Sequence, residues 1–359
     1  MRQTEDLLRI HRPQPTSARG RGRREAGGAA TGADARAAPR VTPAARRQAL
    51  QWRLVITSAD IPQWGYKLML VATTVVWGFS YTVIKTVMDV VPPAWLTGIR
   101  CVAASLLLTV ALWPRIRRAA SPRLLGAGLL LGLFDFGGAY TQSVGLVHTT
   151  PGVSAFLTST YCVIVPFAWW LIARRRPTAF NVAAALVAVC GIWLVSVSAA
   201  GESLSVGFGE GVTLVAAAMF AVHMVLVSKF SQRHDVIVLT VLQFATEGAL
   251  GCLVGAATET LPAAAAVTPT VVWQLVFLTL LCTIACFAMQ NVSLAHVPPA
   301  QGSLLLSFES VFGVLFSMLL YGERPTGRLV AGFALIFVAV LLSEALPRWR
   351  QSIEERRAG

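Results

Sequence analysis

The chain carries the same unit twice. A shift of 148 residues places Gln142–Thr178 on Gln290–Thr326 without a gap, and twelve of the 37 aligned positions are identical. The identities include Gln142/Gln290, His148/His296, Pro151/Pro299, Ser159/Ser307 and Arg176-Pro177-Thr178 against Arg324-Pro325-Thr326. Around this stretch the apolar residues form ten runs, five per copy: Lys67–Met88, Trp95–Trp113, Leu124–Leu146, Gly152–Ala173, Thr178–Val197, then Gly211–Ser228, Val236–Ala257, Val271–Leu294, Ala300–Tyr321 and Leu329–Leu346. A helix that crosses a bilayer needs roughly 20 predominantly apolar residues, and each run has about that length. A duplicated unit with an odd number of spans must insert its copies in opposite orientations. The expected fold is an all-α integral membrane protein, with ten transmembrane helices as two inverted five-helix repeats. In that plan a small-molecule site lies near the midplane where the copies meet.

Composition agrees, with 55% hydrophobic and 13% charged residues and a mean hydropathy of +0.64, far from soluble globular usage. The net charge of +13 would fit nucleic acid, but its distribution excludes that partner. Arg115, Arg117, Arg118 and Arg123 follow the second run, Arg174, Arg175 and Arg176 the fourth, and Lys229 and Arg233 the sixth. The connections after runs one, three, five and seven hold no Lys or Arg, and only Arg324 and Arg328 after run nine oppose the pattern. Basic residues mark cytoplasmic loops, so both termini are expected in the cytoplasm and the chain is expected to be multi-pass in the cell (plasma or inner) membrane.

Four regions follow: a basic tail at 1–65, a first repeat at 66–198, a second at 209–346 and a basic C-terminal tail at 347–359. The first tail sets twelve arginines against five acids and lacks the apolar surface that would order it. It reads as a disordered or misassigned leader, a transit segment or a contact with anionic lipid. The six cysteines all sit within apolar runs, with no CxxC or Cys/His cluster, so no disulfide framework, metal or other cofactor is expected. GxSxG, HExxH, Walker A and GxGxxG patterns are missing from any context that could use them. A non-enzymatic role is expected.

Polar side chains inside spans are costly and mark function or internal pairing. Asp135, Glu247 and Glu309 fall near mid-span, Arg100 lies in span two, and the repeat sets Glu309 on Tyr161. These four are candidates for proton coupling or charge pairing, with the acids facing one shared aqueous cavity; the bland reading has Arg100 neutralising one acid while small polar neighbours satisfy the others. Trp77, Tyr140, Gln142, Tyr161, His223, Gln243 and Gln290 are candidate substrate contacts. His223 also suits a hydrogen-bonded interior site. His148 and His296 suit helix C-terminal capping, and Glu323, in a turn, suits orientation of the next helix.

Trp77-Gly78, Arg100, Arg176-Pro177, Gly209-Glu210-Gly211, Gln243, Phe308-Glu309-Ser310-Val311 and Gly322-Glu323-Arg324-Pro325 before Gly332 together resemble the drug/metabolite transporter superfamily, in its ten-span branch with two EamA domains. The similarity covers about Tyr66–Leu346. It departs at Arg174-Arg175-Arg176-Pro177, where that family usually carries a Gly-Glu pair, and at Phe308-Glu309-Ser310-Val311, where a Glu-Pro-Val is commoner. The resemblance implies a secondary transporter that moves a small metabolite (an amino acid, amine or related analogue) by alternating access, as exporter or exchanger and as monomer or homodimer. A nucleotide-sugar or phosphate-ester antiporter of the same superfamily is the alternative, along with a non-transport membrane protein. Phosphate esters want several cations in the cavity, and only Lys85 and Arg100 are available against three acids.

Overall fold

The computed structural model describes residues 61–174, 176–199, 207–324, 326–339 and 341–342, so the readings for 1–60 and for the C-terminal tail lie outside the described residues. The described chain is helical. Eight helices are long and apolar enough to cross a membrane: α1 (Gln63–Val87), α2 (Pro93–Ala119), α3 (Pro122–Val147), α4 (Pro151–Ala173), α6 (Phe208–Phe230), α7 (Val236–Thr258), α8 (Pro269–His296) and α9 (Pro299–Tyr321). Two more apolar helices, α5 (Ala179–Ala199) and α10 (Gly327–Ala339), occupy the fifth position of each copy. Helix α1 begins at Gln63, inside the segment that composition assigns to the tail.

Helix starts are set locally. Pro93, Pro122, Pro151, Pro269 and Pro299 each occupy the first helical position, where proline's missing N–H is one of the donors a helix leaves unpaired anyway. Ser121, Thr150 and Thr268 side chains accept from the backbone N–H of Leu124, Val153 and Val271, and Asp235 caps α7 through Ile237 and Val238. In hydrocarbon no water can replace such partners.

Packing joins the two copies rather than separating them. Helix α2 lies along α7, α3 along α6 and α7, α4 against α6 and α9, and α1 against α8 and α9. Exchanging each helix for its counterpart five places on turns this set of pairs into itself once the contact of α2 with α8, the counterpart of α3 with α7, is included. The equivalent helices α2 and α7 run antiparallel and close together: a Cβ on Gly98 would meet Cys252 N at 2.7 Å, and one on Gly248 would meet Val102 N at 2.7 Å. Small residues permit such backbone approach between membrane helices. The same two helices cap each other. Glu259, just beyond α7, accepts from Ala94 N (3.0 Å) and Trp95 N (3.1 Å), while Arg115 on α2 holds the capping Asp235 with two bonds of 2.7 and 3.1 Å.

Helices α4 and α9 are both interrupted at equivalent residues, Ser159-Thr160 and Ser307-Phe308. Each break tightens to three-residue hydrogen bonds, as in Cys162 N to Ser159 O and Ser310 N to Ser307 O. Serine and threonine hydroxyls take up nearby carbonyls: Thr160 on Leu157 O, Ser307 on Leu304 O and Ser310 on Ser307 O. The two breaks touch, Ser159 Oγ lying 3.4 Å from Ser307 O.

Large apolar side chains such as Leu106, Leu107 and Val110 on α2 or Leu186, Val189 and Trp193 on α5 face outward, while Asp135, His223, Gln243, Glu247 and Glu309 are buried. That distribution suits lipid as the surrounding solvent.

Candidate functional site

A cavity of about 50 Å³ lies between the copies, room for a few waters on the usual scale of one water per ~10–15 Å³ measured in this way. Its wall is built from equivalent pairs. Gln142 and Gln290 stand 148 residues apart and both line it, as do Tyr161 and Glu309 at the same interval. Trp77, Ser80 and Tyr81 on α1 face it together with Phe220, His223 and Met224 on α6, each pair separated by 143 residues. Arg100 enters from α2, Thr158 from α4, and Cys282 and Phe287 from α8.

Glu309 sits at the first turn of the α9 segment that follows the break. Its Oε1 accepts from Tyr81 OH at 2.7 Å, and Gln142 Nε2 donates to Tyr81 OH (2.9 Å) and Thr158 Oγ1 (3.2 Å). One chain of polar contacts therefore joins α1, α3, α4 and α9. Trp77 Nε1 donates to Cys282 O at 3.0 Å. That carbonyl belongs to a π-helical stretch, Leu278–Ala285, and π-turns inside α-helices recur at functional sites. Thr283 Oγ1 bonds Leu278 O five residues back, so side chains take up two of its carbonyls.

Four polar atoms around the cavity have no hydrogen-bond partner among the described residues: Arg100 Nε, Tyr161 OH, His223 Nε2 and Gln290 Oε1. All four residues are buried, and His223 is only 1% exposed. A buried polar group without a partner costs ~1–3 kcal/mol, so a cluster of them around a void describes a place for a polar guest. The guest would meet a guanidinium, a carboxylate, neutral donors and acceptors, and the rings of Trp77, Phe220 and Phe287.

The remaining sequence candidates lie elsewhere. Asp135, Gln243 and Glu247 belong to a second buried cluster between α2, α3, α7 and α8, and none of them lines the cavity. Gln243 Nε2 donates to Asp135 Oδ2 at 2.6 Å, and Asn291 Nδ2 donates to Gln243 Oε1 and Thr240 Oγ1, each at 3.0 Å. Glu247 lies 4.0 Å from Arg100. The three acids expected to share one aqueous cavity are thus divided: Glu309 faces the cavity, and Asp135 and Glu247 lie behind Arg100, because α3 and α7 turn these faces toward each other. Tyr140 stacks on Phe136 (ring centroids 5.5 Å apart) and is not a lining residue.

Lys85 is also spoken for. Its Nζ donates to Leu146 O, Val147 O and Thr149 O at the end of α3, at the rim of a separate, open depression of about 560 Å³. Glu323 accepts from Thr150 Oγ1 (2.7 Å) and Gly152 N (3.1 Å), so it caps the start of α4 from the end of α9. His296 Nδ1 lies 2.9 Å from Val292 O near the end of α8, and its ring stacks on Tyr66.

Sequence reasoning passed over Tyr81, Thr158, Met224, Cys282 and Phe287. Tyr81 had a signal, since it lies four residues beyond Trp77 and so shares its helix face. Cys282 contributes a main-chain carbonyl freed by the π-turn, for which no residue type is a signature.

An all-helical, multi-pass membrane protein with a polar cavity enclosed between two copies of one unit belongs among the transporters. The chain is a member of the EamA-like transporter family, whose profile matches residues 63–197 and again 207–344. It is 26% identical over 279 residues to an uncharacterized transporter of Archaeoglobus fulgidus, across 77% of this chain and 84% of that one. A solved crystal structure shares the fold with a TM-score of 0.59 at 17% identity, covering 79% of this chain and 98% of the other.

Proposed function

We propose that the protein is a secondary transporter for a small zwitterionic metabolite, an amino acid or related amine, working as an exporter or exchanger. The observation that carries this reading is the pairing of one buried cation, Arg100, with one buried carboxylate, Glu309, around a cavity where Tyr161 OH, His223 Nε2 and Gln290 Oε1 lack partners among the described residues. An amino acid supplies the complement: its carboxylate for Arg100, its ammonium for Glu309, and polar or apolar atoms for His223, Gln290 and the rings. A phosphate ester brings two negative charges and finds one guanidinium. The reading includes ten spans in two inverted repeats, with both termini cytoplasmic, in the plasma or inner membrane, as monomer or homodimer. The antiparallel contact of the equivalent helices α2 and α7 favours the inversion. Alternating access would rock one copy against the other, with the touching breaks at Ser159 and Ser307 as the place where α4 and α9 change angle.

The test is expression in a host stripped of related exporters, challenged with amino acids, amine analogues and cationic dyes, against empty vector and Glu309→Gln. Protection against an amino acid or its toxic analogue, lost in the variant at equal membrane abundance, is the expected result. Protection against dyes alone, or retained in the variant, overturns it.

A further inference from the structure

Behind the cavity the second cluster holds two carboxyl groups with one positive charge between them. Among the described residues, neither oxygen of Glu247, 1% exposed, finds a hydrogen-bond partner, and Asp135, fully buried, has Oδ2 bonded to Gln243 and Oδ1 without a partner. The two carboxyls lie close enough to act on each other. Among the described residues, the charged or titratable groups around Glu247 are Arg100 and the Cys101 thiol from α2, Asp135 from α3 and the Cys282 thiol from α8. Two carboxylates in one dry site do not both ionise. A single proton supplies what the pair lacks, an O–H donor from one carboxyl to the other.

Arg100 connects this pair to the cavity. Its guanidinium lines the cavity and lies 4.0 Å from Glu247 Oε1, and its Nε has no partner. We propose that Asp135 and Glu247 form a proton site of their own, and that the solute's carboxylate and Glu247 compete for the same guanidinium. With the cavity empty, Arg100 serves Glu247. When a carboxylate binds, Arg100 turns to it, Glu247 loses its counter-charge, and the pair takes up one proton from water. When the solute leaves, Arg100 returns and the proton goes back to water. One solute and one proton then share the occluded state. Glu309, on the far wall, binds the ammonium and takes no part in this exchange. The coupling rests on the amino-acid reading above, whereas the proton site stands without it.

The two parts separate in experiment. Reconstituted protein without solute, titrated between about pH 5 and pH 9 and followed by the infrared carbonyl stretch of protonated carboxyls, reports the site alone. The expected result is a protonated-carboxyl band in wild type that survives Glu309→Gln and, in that Glu309→Gln background, is lost on adding either Asp135→Asn or Glu247→Gln, each checked for an unchanged melting temperature. A band that persists in both of these variants, or none in wild type across this range, overturns the proton site. If one variant fails to fold, the other decides. The second arm adds an amino-acid mixture to wild-type proteoliposomes in weak buffer. Alkalinisation of the medium that disappears in Glu247→Gln supports the coupling; amino-acid flux without any proton movement overturns it. Absence of flux for every amino acid would refute the solute reading and the coupling, and leave the infrared result to judge the proton site.

Discussion

The two halves of the cavity wall share a skeleton and differ in chemistry. Position for position, the first copy offers Trp77, Ser80, Tyr81, Gln142 and Tyr161, and the second offers Phe220, His223, Met224, Gln290 and Glu309. The first half is largely bonded, since Trp77, Ser80, Tyr81 and Gln142 all have partners and Tyr161 OH alone of these five does not. The second half is open, with His223 Nε2 and Gln290 Oε1 unpaired. Duplication supplied a symmetric frame, and divergence made one wall a brace and the other a receptor. The same contrast recurs at the helix ends. Arg174 and Gly322 close α4 and α9 at equivalent positions, and both adopt the left-handed backbone, at φ 59° and 74°. Only glycine does so without strain.

The sharpest break of this comparison is Glu309→Gln, which removes the one formal charge from the receptor wall. Losing the partner of a buried charged group costs ~2–5 kcal/mol, so transport of an amino acid should fall by ~30-fold or more in proteoliposomes while membrane abundance is kept. A full rate of amino-acid transport would refute the role of Glu309.

Next in size is the frame itself. Gly98→Val would push atoms into the α7 backbone at a crossing with no room for a Cβ. Overpacking of this kind costs ~1–3 kcal/mol, and a lower melting temperature in detergent with loss of transport should follow; an unchanged melt would mean that α2 and α7 can slide apart. The equivalent glutamines then separate brace from receptor. Gln142→Leu should lower the melt, by ~1–2 kcal/mol for lost hydrogen bonds in a buried network, whereas Gln290→Leu should leave the melt near wild type and weaken solute affinity. Equal behaviour of the two would erase the distinction. Smallest is Arg174→Gly, which relieves a left-handed residue and should raise stability by ~1 kcal/mol or less; a loss instead would show that the Arg174 side chain holds more than its backbone costs.

Much of the frame was legible in the sequence. The repeat, the apolar runs, the proline starts and the pairing of Gln142 with Gln290 and Tyr161 with Glu309 all rest on spacing, and spacing is a local property. Grouping Asp135, Glu247 and Glu309 by depth misleads about their company. Depth follows from position along a helix, whereas company depends on rotation about its axis. In a helix apolar on nearly every face, as α4 and α7 are, rotation leaves little trace in the pattern of residues.

The sequence by itself determined a doubled, helical membrane protein with few polar groups at mid-depth, because bilayer thickness and the cost of unpaired backbone leave a chain like this few alternatives. Only the tertiary structure decided that Tyr81 would meet Glu309 across 228 residues, that a π-turn would present Cys282 O to Trp77, and that Arg100 would stand between two carboxyl sites. Those meetings depend on how helices far apart in sequence rotate and cross, and close packing between copies, rather than hydropathy, fixes that geometry.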